Sequence, residues 1–236
     1  MKRIRELMET VTRVYPKDRF FLGFEESCRT SPAKRAAYRT YDDALRVLDE
    51  RSWRILKDKA VAHFKDHRRG QLKQGFFNQL NEAFAYRWLV RRGCTGVVML
   101  AECGARTPDI RYVEAGRVKH CEVKTLGLSE KEIRRRESRE VFTNAYAELD
   151  EGFFRKLASS IDTAEAQIAA QGTSGLVYLV VVWDDIALDY YPEYRRQVVA
   201  FCRSLGICEV YVKVGLRGNR RVHITPACSR RRGMRS

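Results

Sequence analysis

Three residues near the middle of the chain, Asp109, Glu122 and Lys124 in the segment PDIRYVEAGRVKHCEVK, carry the most chemistry for their spacing. If Ala115 and Gly116 form a two-residue turn, Glu114 faces Arg117, and counting back along both arms sets Asp109 opposite Glu122. Two carboxylates at a cross-strand pair repel, so a fold that holds them there needs a compensating positive charge between them. A divalent cation is the natural one, and ligands that are all oxygen suit Mg²⁺ or Mn²⁺ rather than zinc. Side chains alternate along a strand, which puts Glu122 and Lys124 on one face and turns Cys121 and Val123 toward the core. There the lysine ammonium can hold an attacking water and offset charge on a phosphorane-like transition state.

The elements that must position these residues are legible in the hydrophobic pattern. Phe77, Leu80, Phe84, Trp88 and Val90 recur at helical intervals and predict a helix over 74–92, closed by the basic turn Arg91-Arg92-Gly93. Strands are expected at 96–101, 109–114 and 117–125, the last two joined by the Ala115-Gly116 turn. A charged stretch, 129–140, reads as helical by composition. Phe154, Leu157, Ile161, Ala164 and Ile168 then mark a long amphipathic helix ending before Gly172. The run LVYLVVVW, 176–183, is almost wholly apolar, as a central strand covered on both faces should be. The order is αβββαβ. A helix over 194–205 and strands over 209–214 and 221–224 complete the pattern.

Residues 1–72 read differently. Apolar residues at helical spacing in 41–48 and 53–64 are interleaved with Arg and Lys and punctuated by Pro16, Gly23 and Pro32. We therefore expect three parts: a basic helical N-terminal extension over 1–72, one α/β unit over 73–225 and a basic tail over 226–236.

Composition bounds the partners. In 236 residues, 45 Lys and Arg outnumber 30 Asp and Glu, a formal charge of +15 that attracts polyanions, nucleic acid first among them. Clusters at 68–69, 134–136 and 230–232 could track a phosphate backbone, and Phe20, Phe21, Tyr38 and Tyr41 could stack on unpaired bases. Seven cysteines, odd in number and without a C-x-x-C pair, argue against a disulfide framework or structural zinc and for reduced thiols in a cytoplasm. No apolar run is long enough for a bilayer, and no N-terminal apolar segment suggests export.

Other candidates are weaker. His63 and His67 stand at i and i+4, but no H-E-x-x-H pattern accompanies them, and a solvated basic face is the expectation. His120, on the Glu122 and Lys124 face, reads equally as a phosphate contact or as a cap on the sheet edge. Asp184-Asp185 reads as a turn. No phosphate loop, dinucleotide-binding glycine motif or serine-hydrolase elbow occurs.

Pro108-Asp109, then Glu122-Val123-Lys124 after a hairpin, preceded by a helix that carries Glu82, resembles the PD-(D/E)XK nuclease superfamily over roughly 74–183. The resemblance implies an α/β fold with a restriction-endonuclease-like core, a mixed central sheet flanked by helices. It implies Asp109, Glu122 and Glu82 as ligands of Mg²⁺, for which Mn²⁺ would substitute, Lys124 as the residue that positions the water, and Gln167 as a polar residue near the site. The implied activity is metal-dependent hydrolysis of phosphodiester bonds, in DNA ahead of RNA, with a homodimer possible. A nuclease-like module that binds nucleic acid without cutting, and an RNA-cleaving toxin or effector, are the alternatives.

Overall fold

The computed structural model describes residues 1–67, 72–102, 107–127, 133–134, 138, 148–183, 190–205, 210–216 and 222–224. The chain opens with four helices: α1 (Lys2–Val14), α2 (Phe24–Thr30), α3 (Pro32–Leu45) and α4 (Glu50–Ala62). Two have caps that their sequence specifies. Ser31 accepts from the Lys34 amide ahead of Pro32 at the start of α3, and Asp49 accepts from the Ser52 amide at the start of α4. A 3₁₀ turn, His63–Lys65, follows.

Helix α5 (Gln74–Arg91) leads into β1 (Thr95–Met99), β2 (Ile110–Glu114) and β3 (Arg117–Leu126). Helix α6 (Glu151–Ala169), capped by Asp150, then crosses to β4 (Gly175–Trp183), and α7 (Tyr191–Ser204), β5 (Val210–Leu216) and β6 (Val222–Ile224) close the chain. From α5 to β4 the order is αβββαβ, as the sequence predicts. The strands form one mixed sheet in the order β1-β2-β3-β4-β5-β6. The β3/β4 and β4/β5 pairs are parallel, and the other three are antiparallel. A parallel neighbour needs a long crossover, which α6 supplies.

Helices cover both faces of the sheet. Leu176, Tyr178 and Val180 of β4 join Cys121, α5 and the four N-terminal helices in one core, while Val177, Leu179 and Val181 join Leu126, α6 and α7 in a second. This alternation, with both sides buried, is what the near-continuous apolar run of β4 requires.

Helix α5 is enclosed on all sides along its middle. Every residue from Asn81 to Arg87 is buried, because α3 and α4 cover the side that the sheet leaves open. The N-terminal helices thus share one continuous core with the sheet: Ile4, Leu7, Trp53 and Leu56 pack in the same cluster as Leu80, Ile110 and Tyr112.

Two expectations are corrected. Phe20, Phe21, Tyr38 and Tyr41 do not present free faces to bases. Phe21 stacks on Phe64, Tyr38 packs edge-on against Phe24, and Tyr41 lies against Phe84 with its hydroxyl on Asn81. His63 and His67 are not one turn apart on a helix, since α4 ends at Ala62; His63 Nδ1 meets Asp66, and His67 Nδ1 meets the Lys65 carbonyl. Of the arginine clusters, Arg134 is exposed and the remaining members lie outside the described residues, as do Asp184, Asp185 and most of 129–140.

Candidate functional site

The hairpin that sets the site closes through Ala115 at φ 51° and Gly116 at φ 75°. Two consecutive positive φ values define the tight turn whose twist matches paired strands, and glycine at the second position makes it inexpensive. Glu114 pairs with Arg117 and Ile110 with Cys121, so the next step along the ladder sets Asp109 opposite Glu122. Asp109 lies one residue before β2, where Asp109 Oδ2 accepts from the Val123 amide at 2.8 Å. Its carbonyl takes the Leu100 amide at 2.8 Å, which ties the residue to β1 as well.

Glu122 is 3% exposed. Its Oε1 accepts from Lys124 Nζ at 2.6 Å, while Oε2 is buried without a hydrogen-bond partner. Burial pushes this carboxyl up to about 7, the negative charge of Asp109 pushes the same way, and Lys124 opposes both. Lys124 Nζ also reaches Gln167 Oε1 on α6, at 2.7 Å. Glu122, Lys124 and Gln167, chosen from sequence, therefore form one connected string on the α6 side of β3.

Glu82 sits on α5, 4% exposed rather than on a solvated helix face. Both of its oxygens accept from Lys59 Nζ, at 2.7 and 2.8 Å, and the same ammonium donates to Asp109 Oδ1 at 3.0 Å. Burial, joined by the Asp109 charge, raises the Glu82 carboxyl well above the usual range against the pull of Lys59. Lys59 is 7% exposed. Burial works against its charge, but Glu82 and Asp109 more than offset that and hold it as an ammonium above the ordinary lysine range.

Three carboxylates (Glu82, Asp109, Glu122) and two ammonium groups (Lys59, Lys124) thus make one charge-coupled set of two hydrogen-bonded groups, Lys59 with Glu82 and Asp109 and Lys124 with Glu122, with a formal charge of −1 when all are ionised. Its outer edge is marked by Glu102, exposed, with Oε1 3.9 Å from Lys59 Nζ and Oε2 3.6 Å from His63 Nε2.

No family model, curated protein or solved structure matches this chain. What the site can do therefore rests on its own geometry. Oxygen donors from Asp109 and Glu122, one of them without a partner, have the chemistry that hard divalent cations take. Among the described residues, no three His, Cys, Asp or Glu side chains are already arranged around a common point. Glu82 and Asp109 are instead drawn together on the Lys59 ammonium.

Lys59 is the residue that sequence reasoning missed. Its signal was present, because Ser52, Trp53, Leu56, Lys59 and Ala60 make up the buried stripe of α4, and a lysine in such a stripe needs a buried acid to face. His120 meets the segment ahead of β4. Its Nδ1 meets Thr173 Oγ1 at 2.7 Å, capping the end of the sheet, and burial followed by Arg111 lowers its pKa.

Proposed function

We propose that this chain is a divalent-metal-dependent nuclease of the PD-(D/E)XK type that hydrolyses phosphodiester bonds, with DNA as the favoured substrate. One observation carries the reading: a buried carboxylate oxygen of Glu122 without a partner, at the ladder position opposite Asp109, with Lys124 held against Glu122 and Gln167. A buried acceptor left without a donor is costly, and a cation at that position would relieve both the desolvation of Glu122 and its repulsion from Asp109.

Asp109 and Glu122 would hold Mg²⁺ or Mn²⁺, with Glu82 as the third acid. When bound, such a cation supplies Lewis acidity and lowers the pKa of a coordinated water. Lys124, anchored on Glu122 and Gln167, would orient the nucleophilic water and offset charge that develops in the transition state. Gln167 fixes the lysine rotamer. The formal charge of +15 supports a polyanionic substrate. No helix among the described residues is long and apolar enough to cross a membrane.

A second reading, a nucleic-acid-binding module without turnover, is favoured by the ion pairs of Lys59 with Glu82 and Asp109, which already neutralise part of the acid cluster. The deciding experiment incubates the protein with supercoiled, linear and single-stranded DNA and with total RNA, in Mg²⁺, Mn²⁺ or EDTA, alongside Asp109→Ala and Lys124→Ala. Cleavage that needs metal and drops at least roughly a hundredfold in each variant is the expected outcome. Metal-independent cleavage, or cleavage that persists in both variants, contradicts it, and salt-dependent binding without cutting selects the second reading. Turnover of RNA alone moves the substrate and keeps the chemistry.

A further inference from the structure

Resting on the metal-site reading above, we propose that Lys59 is a built-in counter-ion which competes with the divalent cation for Glu82 and Asp109, and that it shifts to Glu102 when the metal binds. An ammonium has three donors, and Lys59 spends all three at 2.7, 2.8 and 3.0 Å on Glu82 Oε1, Glu82 Oε2 and Asp109 Oδ1. Both oxygens of Glu82 are engaged in this way, and Asp109 Oδ2 is bound to the Val123 amide. A cation that takes Glu82 as a ligand must therefore take oxygens that Lys59 now holds, and a second positive charge a few ångströms from the first is repelled in a buried setting.

The structure also supplies a destination. Glu102 Oε1 lies 3.9 Å from Lys59 Nζ, too far for a hydrogen bond but within reach of one change in the lysine side chain, and Glu102 is exposed where Glu82 is not. Lys59 belongs to α4, so this competition links the N-terminal helices to the acids of the sheet. The consequence is a site whose charge is partly neutralised without metal, and that opens only at metal concentrations high enough to displace the lysine.

The test is direct titration of the full-length protein with Mn²⁺, read by electron paramagnetic resonance of the free ion and by calorimetry, without any activity measurement. Lys59→Met keeps the length of the stem and removes the charge, and it is expected to bind Mn²⁺ about tenfold or more tightly than wild type. Glu102→Gln, which removes the destination, should bind several-fold more weakly. Lys57→Met, on the same helix but paired with Glu6, should match wild type.

If Lys59→Met does not fold, Lys59→Met/Glu82→Gln removes one charge of each sign at similar volume, and it should bind more tightly than Glu82→Gln alone. Equal or weaker affinity without Lys59, in whichever pair folds, overturns the competition and leaves the metal site standing. Absence of Mn²⁺ binding in every protein overturns the metal-site reading itself, and this one with it.

Discussion

Glu122 shows how much of the site is decided by a single desolvated group. Its carboxyl is raised to about 7, by burial first and Asp109 second, so without metal the folded state holds a proton there more tightly than the unfolded chain does. The stability this contributes is fully present below the unfolded value of 4.5 and is lost as pH rises through about 7. In EDTA, denaturant unfolding at pH 5 and at pH 8 should show wild type losing on the order of 3 kcal/mol relative to Glu122→Gln, which cannot titrate. Parallel pH profiles for the two proteins would show that Glu122 is not the buried acid described. Asp109, Glu122 and Lys124 were readable in the sequence because each follows from a local rule, the turn setting Asp109 opposite Glu122 and strand alternation setting Lys124 beside it, whereas Gln167 entered through the family resemblance alone. For Lys59 the α4 stripe signals burial but not the partners, which lie 23 and 50 residues away with no local period to connect them.

At the scale of elements, the register of β3 against β4 holds Glu122 in place, and one glycine guards it. Gly175 pairs with His120, two residues before Glu122, and a Cβ at Gly175 would stand 1.9 Å from the His120 carbonyl oxygen. Backbone cannot yield as a flexible side chain can. Gly175→Ala should therefore lose at least about 1–3 kcal/mol in denaturant unfolding, through displacement of the start of β4. A wild-type midpoint would contradict this placement of the strands. The hairpin, the strands and α6 were legible because turn chemistry, alternation and a helical stripe each have a distinctive period. Helix α5 was read correctly in extent, while its spacing did not show what covers its second side. Its stripe suggested one buried face, yet α3 and α4 bury the other, and Glu82 is inside for that reason.

The whole molecule explains that gap. The Arg and Lys residues between the apolar positions of the first 72 residues read as possible phosphate contacts on a basic helical extension, and several are spent within the fold: Arg3 on Glu50, Arg5 on Glu25, Lys57 on Glu6 and Lys59 on Glu82. The exposed pair of Arg5 with Glu25 contributes little, and these pairings leave the apolar faces of α1, α3 and α4 free to join the core of the sheet. The network around Glu82, Asp109 and Glu122 consequently draws on α4, α5, α6 and the β2–β3 hairpin at once, a convergence that no single segment of sequence displays. Anomalous scattering from a crystal soaked in Mn²⁺ tests the central claim most directly. The expected result is a peak within bonding distance of Asp109 and of Glu122 Oε2. A map with no peak at these carboxylates, or with Mn²⁺ bound only elsewhere, would contradict the metal-dependent nuclease.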